Sequence, residues 1–144
     1  MKLVLAHKMA LGSDQLLLGN GSDEVLDLIF RAFCEPSHDE VLIMPPTYGM
    51  YKVLAEINQI TLKEVPLSID FQLDIKSVLS TINPRTKAIF LCSPNNPSGN
   101  SFQENDIEIL LHSFQGIVVL DEAYIDFSTK ESWVNRLADY PNLV

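Results

Sequence analysis

Cysteine and basic residues are what this sequence has least of. Cys34 and Cys92 are the only cysteines in 144 residues. One pair cannot build a disulfide framework, and neither cysteine has the spacing or histidine neighbours of a metal site. A reduced, cytoplasmic protein is the default that follows. Ten Lys and Arg stand against 19 Asp and Glu, a net charge of -9, and the basic residues are not concentrated anywhere. Such a chain repels polyanions, so nucleic acid is not an expected partner. Nor is a membrane, because no apolar run approaches spanning length. The opening Met1–Lys8 carries a basic residue and a short apolar stretch, but His7 and Lys8 interrupt it before a secretory signal is complete. His7, His38 and His112 share no spacing with Cys or acids and read as structural. Repeats, low-complexity tracts and linkers are also missing, which leaves a single soluble domain as the expectation.

Hydrophobic residues make up 47% of the chain, enough for one sizeable core. Apolar runs bounded by turn signals recur at Gln15–Leu18, Glu40–Met44, Gln59–Val65, Thr86–Cys92 and Gly116–Leu120. Most are apolar throughout, the pattern of strands covered on both faces. Helical patterns lie between them. In Ser22–Cys34 the residues Val25, Leu26, Ile29, Ala32 and Phe33 keep the spacing of a buried stripe, and Asp23 and Glu24 suit its positive end. Thr47–Ile57, Asp74–Ile82 and Glu104–Phe114 are three further helices, and Lys130–Tyr140, with Trp133, reads as a covering helix. Alternating β and α along the chain predicts a three-layer α/β/α architecture around a mostly parallel sheet. Ligands of such sheets collect at the carboxyl ends of the strands.

Four segments stand just past predicted strands. In Leu18-Gly19-Asn20-Gly21-Ser22-Asp23-Glu24 a glycine turn opens a helix, whose free N–H groups and dipole suit an anion; Asp23 can turn its carboxylate away. A tight turn with a Ser22 cap is the plainer reading. In Pro45-Pro46-Thr47-Tyr48-Gly49-Met50-Tyr51 two prolines stiffen the platform beneath Tyr48, an aromatic able to stack on a flat heterocycle. An amphipathic helix that simply buries Tyr48 or Tyr51 is the plainer reading of this segment taken alone. In Cys92-Ser93-Pro94-Asn95-Asn96-Pro97-Ser98-Gly99 the prolines restrict Ser93 and Asn96, with a cis X–Pro bond within reach, and so limit the Asn96 carboxamide. That density of turn residues exceeds what a connecting loop needs. In Gly116-Ile117-Val118-Val119-Leu120-Asp121-Glu122-Ala123-Tyr124 a strand delivers Asp121 to the sheet edge, and a helical turn would return Tyr124 to the same side. Capping, metal and phosphoacceptor roles for such an Asp stay open.

Taken in this order, "GNGSDE", "PPTYGMY", "CSPNNPSG" and "VVLDEAY" resemble the fold-type I enzymes that use pyridoxal 5'-phosphate (PLP). The second and third segments resemble, more narrowly, the histidinol-phosphate aminotransferase family. The resemblance runs from about Leu16 to the end and implies the large-domain fold of PLP-dependent transferases. It implies that Gly21, Ser22 and Asp23 meet the cofactor phosphate, that Tyr48 stacks on the pyridine ring, that Asn96 and Tyr124 bond its phenolic oxygen, and that Asp121 pairs with its ring nitrogen. A carboxylate there keeps the nitrogen protonated, so the ring can accept electrons as the substrate Cα proton leaves. Amino transfer between histidinol phosphate and 2-oxoglutarate is the implied reaction, with an amino-acid phosphate and a 2-oxo acid as substrates and a homodimer as the assembly.

The family's Schiff-base lysine would fall beyond Val144, and no lysine here has its context. The N-terminal arm and the small domain would also lie outside residues 1–144. The expectation is thus a partial PLP-binding large domain, incomplete and inactive alone. Two enzyme-free alternatives remain at this point, a phosphate-binding α/β domain and a receiver-like domain with Asp121 as phosphoacceptor. Threonine-phosphate decarboxylase is the rival within the PLP enzymes.

Overall fold

A computed structural model describes all 144 residues. Four strands, β1 (Glu40–Ile43), β2 (Thr61–Glu64), β3 (Thr86–Cys92) and β4 (Ile117–Asp121), form one sheet in the order β2-β1-β3-β4. Every pairing is parallel. Residues 142–144 run along the outer edge of β4, where the Val118 N–H donates to Asn142 O at 2.8 Å and the Val144 N–H to Val118 O at 3.0 Å.

The helices are α1 (Lys2–Lys8), α2 (Ser22–Phe33), α3 (Met50–Ile57), α4 (Ile75–Thr81) and α5 (Glu104–Ser113). Alternation along the strands splits the core into two clusters. Val41, Ile43, Ala88, Phe90 and Val119 face α2 and α3, while Leu42, Ile89, Leu91 and Val118 face α4 and α5. The chain moves outward from β1 to β2 and then back across β1 to β3. Parallel crossovers of one hand must change faces when the direction reverses, which is why α3 lies opposite α4 and α5. The direction changes between β1 and β3, so a crevice opens beyond their carboxyl ends.

Local chemistry sets the element ends. Asp74 caps α4 by accepting from the Ser77 N–H at 3.1 Å and its hydroxyl at 2.7 Å. A side chain at Gly116 would collide with the Lys87 carbonyl oxygen and the Phe114 ring, so only glycine lets β4 start so close to β3.

Two expectations do not hold. Gln15–Leu18 is not a strand: Ser13–Gln15 closes a 3-10 turn, held by the Gly12 N–H donating to Gln15 Oε1 at 2.9 Å, and no strand lies alongside Leu16–Leu18. Backbone pairing, and not apolar content, makes a strand, and Leu17 and Leu18 stay exposed. Lys130–Tyr140 covers the sheet as expected but is only a 3-10 turn at Trp133–Arg136. Its shape comes from side chains. Glu122 accepts from the Ser132 hydroxyl at 2.5 Å and the Trp133 N–H at 3.0 Å. The Arg136 guanidinium lies 4.5 Å and 5.1 Å from the Trp133 and Tyr140 ring centres and is ion-paired to Glu108.

Charge is buried at the opposite, amino edge. Glu40 is fully buried and accepts from Asn83 Nδ2 at 2.7 Å. The Arg85 guanidinium lies directly against Glu40 Oε1 without the alignment of a hydrogen bond, so proximity of charge compensates this oxygen. Beside it, Asp39 accepts from the Glu35 N–H at 2.8 Å and contacts His38 at 2.8 Å and Lys87 at 3.9 Å. Burial works to raise the Asp39 pKa, but the hydrogen bonds from Glu35 and His38 and the Lys87 charge outweigh it and hold the carboxyl below its ordinary value of 3.8.

A carboxyl depressed in the folded state stabilises it above the unfolded pKa, and that contribution is lost as pH falls through the folded value. Asp39→Asn should therefore destabilise the chain at neutral pH, by about 1 kcal/mol or more. The gap in denaturation midpoint should close below pH 3.8. Phe30, stacked on Phe90 at 4.8 Å and fully buried, tests the other layer. Phe30→Ala should cost about 3–5 kcal/mol in urea unfolding.

Candidate functional site

Parallel register brings the polar loops to one edge. The last β3–β4 pair is Cys92 with Asp121, and the Ser93 N–H continues the ladder to the Asp121 carbonyl at 2.9 Å. The loop after β3 thus begins level with the Asp121 side chain. On the other side of β3, β1 delivers Pro45–Tyr48 to the same edge.

Asp121 is held at both oxygens. The Tyr51 hydroxyl donates to Oδ2 at 2.7 Å and the Ala123 N–H to Oδ1 at 3.1 Å. Tyr51 is fully buried on α3, and its ring meets Tyr48 edge-on, with centres 5.6 Å apart and planes at 87°. Tyr48 itself is half-buried and donates its hydroxyl to Asp23 Oδ1 at 3.1 Å. Burial pushes the Tyr48 phenol above its ordinary pKa, and the Asp23 hydrogen bond and charge add to this, followed by Asp121 and Tyr124. Asp23, Tyr48, Asp121 and Tyr124 therefore share one electrostatic neighbourhood.

The start of α2 is open. Gly21 holds the N-cap position at φ +87°, in the left-handed region that favours glycine, and no side chain caps the helix. Ser22 is the first helical residue and not the cap, a correction to the plainer expectation. The Glu24 carboxylate turns back to the Asn20 N–H at 2.5 Å, and the Asp23 carboxylate is engaged by Tyr48.

Asn96 and Tyr124 line a common hollow of about 390 Å³, together with Pro94, Pro97, Ser101 and Phe127. Asp121 is not part of that lining; it adjoins through its tie to Tyr51 and its reach to Tyr48. Asn96 is half-buried, and its main-chain N–H points at the buried Cys92 thiol, whose pKa burial raises. The peptide bonds Pro45–Pro46, Ser93–Pro94 and Asn96–Pro97 are cis. A separate apolar hollow between Leu120, Trp133, Leu137 and Val144 lacks the polar groups gathered here.

Sequence reasoning passed over Asn95, which is the fastener of the site. It is 2% exposed, accepts from the Thr47 hydroxyl at 3.0 Å, and donates to Pro46 O at 3.0 Å and Ser98 Oγ at 2.6 Å. One carboxamide thereby joins the loops after β1 and β3. The signal was the adjacent pair Asn95-Asn96, two carboxamides in one proline-bounded turn, only one of which is needed to face outward. Asn95→Ala should lose about 1–3 kcal/mol of stability and make the Pro94–Asn100 loop more susceptible to limited proteolysis, with cleavage mapped by mass spectrometry.

Known proteins share this chain's sequence and fold. The family model for aminotransferase class I and II matches residues 1–144. The chain is 58% identical over 144 residues to the histidinol-phosphate aminotransferase of Christiangramia forsetii, and 59% identical to that of Flavobacterium psychrophilum. It spans 41% and 42% of those relatives' lengths. Among solved structures, an aminotransferase from Eubacterium rectale superposes with a TM-score of 0.84 at 26% identity, over 99% of this chain and 39% of that one. The histidinol-phosphate aminotransferase of Clostridium acetobutylicum gives 0.82 at 24% identity over 96% of this chain and 41% of that one, a likeness of fold. With its whole length matched and its parallel sheet superposed, the chain belongs to the aminotransferase class I and II family.

Proposed function

We propose that residues 1–144 form the cofactor-cradling part of the large domain of a PLP-dependent aminotransferase, acting on histidinol phosphate and 2-oxoglutarate. The observation that carries this reading is the gathering of Asp121, Tyr48, Asn96 and Tyr124 at one edge of the sheet, beside an uncapped helix start. That donor set fits a small aromatic phosphate. The uncapped N–H groups of Gly21, Ser22 and Asp23 suit the phosphate, and the Asp23 carboxylate is kept off them by Tyr48. The Tyr48 ring offers a stacking face, Asn96 and Tyr124 offer donors to a phenolic oxygen, and Asp121 offers a carboxylate to a ring nitrogen.

Bound there, PLP supplies the electron sink that amino transfer needs. The chain's own residues orient it. Asp121, fixed at both oxygens, presents one charge in one place, and Asn95 keeps the loops bearing Tyr48 and Asn96 in mutual register. No covalent anchor comes from Lys130, which pairs with Glu104 at 3.3 Å, or from Lys87, which is held by Pro84 O at 3.1 Å at the opposite edge. We assign the anchoring lysine to sequence outside residues 1–144.

The substrate assignment is supported by the relatives' names at 58% and 59% identity. A homodimer accords with the exposed Leu3, Val4, Leu17 and Leu18, and a cytoplasmic setting with the two unpaired cysteines, Cys34 and Cys92. No helix is long and apolar enough to cross a membrane.

Expressed from its own gene, the protein should form glutamate from 2-oxoglutarate when supplied with histidinol phosphate. Asp121→Asn should lower kcat by about 100-fold or more, and Asn96→Ala should shift the cofactor's absorption band. Release of CO2 from an amino-acid phosphate in place of amino transfer would defeat the substrate reading.

A further inference from the structure

The Tyr51 hydroxyl is fully buried, and the acceptor it bonds is Asp121 Oδ2 at 2.7 Å. A buried phenol without an acceptor is costly, and a carboxylate is the strongest acceptor a neutral donor can meet. The two residues are 70 positions apart and lie on α3 and at the end of β4, so this bond is a tertiary tie between two layers. The same ring rests against Phe90 at 5.3 Å and supports Tyr48 edge-on at 5.6 Å. Tyr51 therefore touches the acid through its oxygen and packs its ring perpendicular to the stacking ring.

Its chemistry suits a permanent donor. Burial, first of all, and then the Asp121 charge push the Tyr51 phenol far above its ordinary value. It keeps its proton at every pH at which the fold survives, and the bond always runs from Tyr51 to Asp121. The Ala123 N–H is the only other donor on the carboxylate, at 3.1 Å. A backbone amide at that distance fixes one oxygen; the phenol is needed to fix the second, and with it the rotation of the carboxylate plane.

We propose that Tyr51 is a positioning residue for the cofactor: by donating to Oδ2 it locks the Asp121 carboxylate in the orientation that meets a ring nitrogen, while its ring, perpendicular to that of Tyr48, sets the height of Tyr48. This rests on the reading of Asp121 as the ring nitrogen's partner, and it adds a residue buried beneath the site, out of contact with the ligand.

Pyridoxamine 5'-phosphate needs no lysine anchor and serves as the probe, beside its 1-deaza analogue, in which carbon replaces the ring nitrogen. The parent protein should bind the natural compound more tightly than the analogue in calorimetric titration. Tyr51→Phe removes one oxygen and leaves the ring contacts. It should weaken pyridoxamine 5'-phosphate about tenfold and change the deaza analogue by less than about twofold. In an Asp121→Asn background the same substitution should add no further loss, because the donor then acts on nothing that distinguishes the two ligands. Equal weakening of both ligands, or full additivity with Asp121→Asn, would overturn the proposal. A parent that does not distinguish the two ligands would overturn instead the Asp121 reading on which it rests. Should Tyr51→Phe not fold, 3-fluorotyrosine at position 51 keeps the donor. Its ¹⁹F resonance should then move with pyridoxamine 5'-phosphate and stay in place with the analogue, and identical movement with both would count against the tie.

Discussion

The Ser93 N–H reaches the Asp121 carbonyl across 2.9 Å and adds one rung beyond β3. Because the strands are parallel, that rung fixes the starting height of the proline-rich loop relative to the acid of the next strand. A slip of one residue would turn Asp121 to the opposite face, away from α3, and Tyr51 would lose its acceptor. Register in turn depends on the covered faces, where Ala88, Phe90 and Val119 pack one side and Ile89, Leu91 and Val118 the other. The site is therefore specified by the core as much as by its own polar residues.

The two edges of the sheet handle charge differently. At the amino edge Glu40 and Asp39 are buried among Arg85, Lys63, Lys87, Asn83 and His38, a closed set in which each acid has partners. At the carboxyl edge the acids Asp23 and Asp121 are held by the phenols Tyr48 and Tyr51, which are neutral donors. A neutral partner orients a carboxylate without cancelling its charge. The arrangement suits a site whose acids must meet a ligand, while the amino edge suits a structural role.

Much of this was legible in the sequence. The strands Glu40–Met44 and Thr86–Cys92 and all four long helical patterns follow from periodicity and turn residues, because these segments are buried by their immediate neighbours. Gln15–Leu18 reads as a strand from composition, yet strands need a pairing neighbour, which composition does not supply. Lys130–Tyr140 covers the sheet as its sequence suggests, but its form is dictated by Glu122 and Glu108, carboxylates outside the segment. The polar ligand-facing residues could be located because each follows a strand. Asn95 and Tyr51 could not be separated from Asn96 and Tyr48, since in each case near-identical residues lie within one turn and only tertiary contacts divide the one that supports from the one that faces outward.

The sheet also keeps its two apolar layers apart. Phe30, Tyr51 and Leu54 lie on one side, Ile107, Leu110 and Trp133 on the other, with strand backbone between them. Substitutions on opposite sides share no partner and should sum independently. The helices α4 and α5 can accordingly be repacked against Ile89, Leu91 and Val118 for greater robustness, since Tyr48 and Tyr51 draw their packing from the other layer.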